Sequence, residues 1–227
     1  MSYRKFEASE QQLLEDIMRL RRDVRGNRFT NEPVQETDLE RIMRAALLAP
    51  SVGFSQPWRF VDIRDQQTKA AVADVFKTEN EKASQLFEDA KHSQYQQLKL
   101  EGITEAPINL AVFYQHPQKA VLGQTSMPVA GQYSTICAIQ NMWLMARALN
   151  IGMGWVSILD GKKVEQILGA DDHHEFVAYL CIGHVDTFYD KPELETLGWE
   201  ARKAFDEVIF KESLQNQSNN QSASYEA

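Results

Sequence analysis

Cysteine is scarce in this chain of 227 residues, which holds only Cys137 and Cys181. Both lie in apolar stretches, so we interpret them as small buried side chains and not as the disulfide framework of a secreted domain. Long apolar runs are also missing, because no stretch approaches the roughly 18 residues of a membrane span. The first sixteen residues lack the apolar centre of a signal peptide. These absences predict a cytoplasmic protein that has no membrane partner.

Positive charge is the second scarcity, with 24 Lys+Arg against 32 Asp+Glu and a net charge of −8. Nucleic acids are bound by broad basic faces, so this balance argues against nucleic-acid binding. The two standard nucleotide fingerprints are absent, since no G-x-G-x-x-G follows a predicted strand and no G-x-x-x-x-G-K-[ST] occurs. The acidic and histidine run 171–175 has no second cluster at ligand spacing, and adjacent side chains rarely converge on one ion. We therefore predict no metal site.

Against this acidic background, five arginines fall within residues 19–28. If the preceding amphipathic helix persisted through them, Arg21, Arg22 and Arg25 would converge on one point. Guanidinium groups suit phosphate, because their paired N–H donors match two phosphate oxygens. We interpret the cluster as the site of a small anionic cofactor, with the carboxylate of Asp23 acting beside it. The alternative interpretation is a solvated helix end.

Hydrophobic periodicity predicts helices and strands in irregular alternation, without an internal repeat. They form one domain, 1–212, and the polar, low-complexity tail 213–227 is predicted to be disordered. The predicted helices are Ser9 to Gly26, Thr37 to Pro50, much of Gln66 to Lys99, Tyr133 to Leu149 and Lys162 to Leu168, and the predicted strands are Trp58 to Ile63, Pro107 to Gln115, Ile151 to Ile158 and Phe176 to Ile182.

Two of the predicted helices carry notable apolar faces. The first has an apolar row at helical spacing, Leu13, Leu14, Ile17 and Met18, which we expect to be buried. The helix from Tyr133 is apolar nearly all round, which indicates either a central buried helix or one that packs against a second subunit.

Three further segments carry candidate functions. The loop 49–58 holds two prolines and a glycine, and its hydroxyls and amide suit a ligand, although an ordinary helix-to-strand connection has the same composition. The charged segment 79–102 is interpreted as a lid, a dimer arm or a solvent-facing helix pair. Gly152 and Gly154 open a predicted strand and indicate close approach by something flat or bulky. Ser157 follows in that strand and, as a small residue, also fits a merely structural role.

Three motifs in this order resemble the nitroreductase-like FMN flavoproteins: Arg21-Arg22-x-Val24-Arg25, Pro50-Ser51-x-x-x-x-Gln56-Pro57-Trp58 and Gly152-x-Gly154-Trp155-Val156. Those proteins place a serine between the second and third arginines and usually an asparagine ahead of the Gln-Pro-Trp. This chain has Asp23 and Phe54 instead. Both departures, with the segments 98–103 and 154–158, resemble the branch of that family which breaks up its flavin.

The resemblance implies an α+β, nitroreductase-like fold, with a central, mostly antiparallel sheet flanked by helices, in an intertwined homodimer that binds FMN at the subunit interface. It implies that reduced FMN and O2 are both consumed, giving 5,6-dimethylbenzimidazole, the lower ligand of vitamin B12, and erythrose 4-phosphate. A lid over the flavin leaves little room for a nicotinamide, so a separate flavin reductase is expected to supply the reduced FMN. The alternatives are an NAD(P)H-dependent nitroreductase that cycles its flavin intact and a non-catalytic flavin carrier.

The resemblance also assigns the site residues. Asp23 and Ser157 are the expected catalytic residues, with Asp23 as general acid or base and Ser157 as hydrogen-bond partner of the flavin. Segment 79–102 becomes the lid. The residues expected to contact FMN are Arg21, Arg22, Asp23, Val24, Arg25, Pro50, Ser51, Gln56, Lys99, Leu100, Gly154, Trp155, Ser157 and, near the phosphate, Arg202.

Overall fold

A computed structural model describes residues 3–214 of the chain. Most of the tail predicted to be disordered, residues 215–227, therefore lies outside the described residues. The helices are α1 (Ala8–Leu20), α2 (Glu36–Leu47), α3 (Gln66–Ser84), α4 (Asp89–Gln96), α5 (Ala130–Ala148), α6 (Gly161–Leu168), α7 (Glu193–Thr196) and α8 (Phe205–Val208), and the strands are β1 (Trp58–Ile63), β2 (Ile108–Gln115), β3 (Gly152–Val156) and β4 (His174–Gly183).

The four strands form one sheet in the order β1-β2-β4-β3, and every neighbouring pair is antiparallel. Successive side chains of β2 point to opposite faces. Leu110 packs into a core with α2 and α5, while Phe113 packs into a second core with α3 and α6. Helices thus flank an antiparallel sheet on both faces, which confirms the predicted α+β class.

The chain divides into two units, one up to Asp190 and one from Lys191 onward. The first contains the sheet and helices α1 to α6, and the second contains the short helices α7 and α8. The single domain 1–212 stays a prediction. Among the described residues, the helices all fall short of the length or hydropathy that crossing a bilayer requires.

Helix α1 differs from its prediction at both ends and along its face. Its N-cap is Glu7, whose N–H donates to the Glu10 carboxylate at 2.9 Å, and not Ser9. It ends at Leu20, so Arg21, Arg22 and Arg25 are not part of a helix. The predicted burial of its apolar face is also wrong, because α1 contains no buried residue and Leu13 is 61% exposed. Among the described residues, 3–214, nothing buries this face.

Helix α5 lies on the sheet through one face only. Ala138, Ile139 and Met142 are fully buried there, whereas Tyr133 and Ile136 on other faces are exposed. The expectation that Cys137 is buried is wrong for the same reason, since it lies on an exposed face, while Cys181 is buried as expected. An apolar helix with an exposed apolar face matches the second alternative drawn from its sequence, a helix that packs against another subunit.

Candidate active site

The segment Arg21–Arg25 runs in extended conformation along the outer edge of β3. Arg21 has ψ 138°, Asp23 forms a parallel bridge with Met153, and the Val24 N–H donates to the Met153 carbonyl at 3.2 Å. Side chains alternate along an extended chain, so Arg21, Asp23 and Arg25 share one face. The burial of the side chains follows that alternation, because these three are half-buried whereas Arg22 and Val24 are buried. The prediction that Arg21, Arg22 and Arg25 converge on one face of a helix is therefore wrong. The side chains that lie on one face are those of Arg21, Asp23 and Arg25.

Two positions of β3 require glycine because neighbouring parts of the chain lie too close for a side chain. A Cβ at Gly154 would overlap the Val24 carbonyl oxygen, and a Cβ at Gly152 would overlap the side chain of Val185. The sequence indicated close approach by something flat or bulky. What approaches both glycines is the protein itself.

The Asp23 carboxylate is held by two different donors. Its Oδ1 accepts the Trp155 N–H at 2.9 Å, and its Oδ2 pairs with the Arg25 guanidinium. Burial raises the pKa of the Asp23 carboxyl, while Arg25, the Trp155 N–H and Arg21 act in the opposite direction. The side chain still keeps 33% of its exposure, so it can exchange a proton. A carboxyl with a raised pKa beside cations suits a general acid or base.

The arginines have separate structural roles. The buried Arg22 donates to the backbone carbonyls of Arg19 at 2.8 Å, Arg21 at 2.6 Å, Tyr189 at 2.8 Å and Asp190. Arg21 instead lies over the Trp143 ring, 4.7 Å from its centroid, on the face that Asp23 shares. The phosphate contact expected of Arg22 stays a prediction, and its observed contacts are those of a structural anchor.

The segment that follows α4 reaches this face. The Arg25 Nη1 donates to the Leu100 carbonyl at 3.2 Å and to the Trp155 carbonyl at 3.0 Å. Lys99 pairs with Glu101 and, at 2.7 Å, with Glu105. Burial of the ammonium works against its charge, yet these two carboxylates raise the pKa of Lys99 overall. Leu100 therefore contacts the Asp23 segment, and Lys99 lies next to it in sequence. The role of segment 79–102 as a lid stays a prediction.

The loop 50–56 is strained and lies elsewhere. Phe54 and Gln56 adopt φ angles of 54° and 46°, a left-handed conformation that costs a non-glycine residue roughly 1–3 kcal/mol. The Gln56 N–H donates to the Ser51 Oγ at 3.1 Å, and the Val52 N–H donates to the Ser134 Oγ at 3.0 Å. Pro50 is exposed at the start of the loop. Strain of this kind is typical of functional sites.

Within one chain the structure does not bring this loop to Asp23. The loop leads into β1, and Asp23 lies beyond β3, which are the two edge strands of the described sheet. Three strand spacings of about 4.8 Å separate the edges by about 14 Å, and the Asp23 segment lies outside the second edge. Within one chain, Pro50, Ser51 and Gln56 therefore lie apart from the Arg21–Arg25 segment.

Three more predicted residues differ in their exposure and position. Ser157 is exposed and directly follows β3, and Val24 is buried beneath the segment. Arg202 lies in the second unit and is exposed. Among residues 3–214, no group of three or more His, Cys, Asp or Glu side chains could hold a metal ion.

Sequence reasoning missed Trp143. Its Nε1 donates to the carbonyls of Arg22 at 3.1 Å and Met153 at 2.9 Å, so it ties the arginine segment to β3. The available signal was an indole in an otherwise apolar helix, since a buried indole N–H needs an acceptor.

The comparisons with known proteins agree with this fold and these motifs. The model of the protein family described as "Nitroreductase family" matches residues 18–184 of the chain. The chain is 42% identical over 200 residues to a 5,6-dimethylbenzimidazole synthase of Rhodospirillum rubrum, covering 87% of this chain and 94% of the relative. It is 40% identical over 197 residues to one of Rhodobacter capsulatus, covering 86% and 94%.

Solved structures show the same fold. A crystal structure of oxidized iodotyrosine deiodinase bound to FMN and 3-iodo-L-tyrosine matches with a TM-score of 0.69 at 22% identity, covering 88% of this chain and 98% of that one. A BluB-like flavoprotein of Clostridium difficile 630 matches with a TM-score of 0.65 at 20% identity, covering 87% and 98%. By sequence and by fold, the chain belongs to the nitroreductase family.

Proposed function

We propose that this protein is a 5,6-dimethylbenzimidazole synthase, which uses O2 to fragment reduced FMN into 5,6-dimethylbenzimidazole and erythrose 4-phosphate. The observation that carries the proposal is Asp23, a carboxyl with a raised pKa set between two arginines on one face. The family motif that this chain resembles has a serine there, whose hydroxyl is a much weaker acid and base than a carboxyl at neutral pH. Relatives at 37–42% identity that carry this name support the same conclusion.

The residues present fit FMN. Arg21 is stacked over Trp143, an arrangement that orients the guanidinium without using its N–H donors. Those donors suit a phosphate, and Arg25 adds a second cation on the same face. Arg21 and Arg25 would hold the phosphate and ribityl end, with Trp155 and Ser157 beside the ring. Reduced FMN, when bound, would supply both the electrons for O2 and the ring that becomes the product.

The homodimer expected from the sequence would complete the site. In an intertwined pair, the loop 50–56 of one subunit would meet the Arg21–Arg25 segment of the other, although one chain keeps them at opposite edges. The exposed apolar residues support such a pair, because α1 and α5 present uncovered faces that water disfavours. These residues are Leu13, Leu14 and Met18 on α1 and Tyr133 and Ile136 on α5.

Within that site Asp23 would give and accept the protons that bond cleavage requires. Ser157 would hydrogen-bond the ring. The segment 79–102 would close over it and exclude water, with Lys99 and Leu100 at its base. Because this closure leaves little room for a nicotinamide, a separate flavin reductase would supply reduced FMN. The cytoplasmic location stays a prediction.

The test is to incubate the purified protein with chemically reduced FMN, admit air, and analyse the small molecules by chromatography and mass spectrometry. Loss of FMN with appearance of 5,6-dimethylbenzimidazole is the expected result. Intact FMN with hydrogen peroxide alone would overturn the proposal, and NAD(P)H oxidation would then distinguish a flavin-cycling reductase from a carrier.

A further inference from the structure

Helix α3 buries a lysine that the proposed chemistry does not use. Lys69 is 2% exposed, and its Nζ donates to the carbonyls of Ala106 at 2.9 Å and Pro107 at 3.0 Å. Burial lowers the pKa of this ammonium. An apolar side chain of similar length would fill the space without taking a cation out of water. Packing alone therefore does not explain why a lysine is there.

A second buried polar residue holds the same stretch of chain. Asn109 is fully buried in β2, and its Nδ2 donates to the Ile103 carbonyl at 2.7 Å. Lys69 and Asn109 together bind three carbonyls between positions 103 and 107. The Ala106 N–H, which donates to the Gly102 carbonyl at 2.9 Å, makes this stretch a tight turn.

The other end of the turn reaches the candidate site. The Glu101 carbonyl accepts the Gly26 N–H at 2.8 Å, and the Leu100 carbonyl accepts from Arg25. A Cβ at Gly102 would lie 3.0 Å from the Gly26 nitrogen, so the two segments are packed without space for a side chain. The turn 100–107 is thus fixed to the protein core at one end and to the Asp23 segment at the other.

We propose that Lys69 and Asn109 are positioning residues for Asp23. They hold the turn 100–107 so that Arg25 stays between Leu100, Trp155 and Asp23, which fixes the carboxylate. Only the activity part of this inference depends on the proposed function. The competing explanation is that Lys69 merely satisfies carbonyls at the start of β2, in which case its loss would lower stability and leave Asp23 unchanged.

The test compares Lys69→Met with the matched control Lys77→Met, an exposed lysine on the same helix. The first measurement is amide hydrogen exchange at Gly26 in the FMN-free protein. The second is the titration of the Asp23 carboxyl by NMR. For Lys69→Met we expect about tenfold faster exchange at Gly26 and a higher Asp23 pKa, because a displaced Arg25 stabilises the carboxylate less. For Lys77→Met both measurements should match the wild type.

The activity measurement follows in the same variants. Small misplacement of a catalytic group can cost on the order of a hundredfold in rate. We expect Lys69→Met to slow 5,6-dimethylbenzimidazole formation about tenfold or more while FMN affinity stays within about threefold. Lys69→Gln, which keeps an N–H donor, should recover part of the rate. Wild-type exchange and Asp23 titration in a less stable Lys69→Met would overturn the proposal.

If Lys69→Met does not fold, Asn109→Leu removes the link to Ile103 but leaves both Lys69 hydrogen bonds in place, and it carries the same expectations. A wild-type protein that makes no 5,6-dimethylbenzimidazole would refute the proposed function. The exchange and titration results would still decide the positioning role.

Discussion

The segment Arg21–Arg25 and the loop 50–56 lie at opposite edges of one sheet, and the chain holds them in different ways. The first is tied by backbone pairing to β3, by the Trp143 indole and by the Arg25 contacts. The second is short and strained, and its Phe54 is 80% exposed. The first is fixed by several contacts around a carboxyl with a raised pKa, and the second presents an exposed aromatic side chain.

This difference shows how each half of the proposed site would hold its side chains in position. An acid or base needs fixed geometry within its own subunit, which the edge of a sheet provides. The loop 50–56 is held by hydrogen bonds to Ser51 and Ser134 within its own chain, and a partner subunit would add further contacts. The predictions below separate these two halves, beginning with the larger effects.

The largest expected effect is on Asp23. Asp23→Asn keeps the shape and a hydrogen-bond acceptor for the Trp155 N–H but cannot transfer a proton. Formation of 5,6-dimethylbenzimidazole should fall by about a hundredfold or more, while FMN affinity changes only a few-fold. Asp74→Asn, on the exposed side of α3, is the matched control. Near-normal product from Asp23→Asn, measured by chromatography, would remove Asp23 from the mechanism.

A mixed dimer tests whether the two halves belong to different subunits. One tagged chain carries Asp23→Asn, and the other carries Ser51→Ala with Gln56→Ala. If each site takes its loop from one subunit and its Asp23 from the other, the mixed dimer has one intact site and about half of the wild-type activity. Both pure mutant dimers should be nearly inactive. A mixed dimer as inactive as the pure mutants would place both halves of a site in one chain.

Alanine substitutions of two neighbouring arginines should have different effects, one on FMN binding and the other on stability. Arg21→Ala should weaken FMN binding by roughly tenfold to a hundredfold, since a charge-assisted contact contributes about 1.5–3 kcal/mol. Arg22→Ala should mainly lower the free energy of unfolding, by roughly 1–3 kcal/mol, because buried carbonyls lose their donor. Flavin fluorescence titration and urea unfolding measure the two effects. Weaker FMN binding with unchanged stability in Arg22→Ala would instead favour the phosphate contact expected from its sequence motif.

The strands of the core could be predicted because local pattern and burial agree there, whereas their antiparallel pairing was expected only from the family resemblance. The strand Trp58–Ile63 was predicted with the bounds it has, and Pro107–Gln115 differs by one residue at its start. The arginine segment could not be predicted from spacing. Helical and extended periods both group Arg21 with Arg25, and only the pairing with Met153 decides between them.

Burial of α1 could not be predicted for a related reason. An apolar row at helical spacing shows that a face avoids water, but not which chain covers it. The same limit applies to Gly154. Its sequence indicated close approach, and only the tertiary structure identifies the Val24 carbonyl as the approaching group.

The smallest expected effect concerns the stability cost of Asp23 in the FMN-free protein. Burial raises the pKa of the folded-state carboxyl above the ordinary value of 3.8. At a pH between the ordinary value and the raised value, the folded state therefore keeps a proton that the unfolded state releases. The carboxyl therefore costs no stability below the ordinary value, and its cost grows until the pH passes the raised value. Asp23→Asn cannot ionise, so it should equal the wild type at about pH 3, below the ordinary pKa, and be more stable at about pH 8. The difference should stay under about 1 kcal/mol, because the group is partly exposed and Arg25 offsets the burial. Urea unfolding at both pH values measures it, and a less stable Asp23→Asn at the higher pH would mean that the pair with Arg25 outweighs burial.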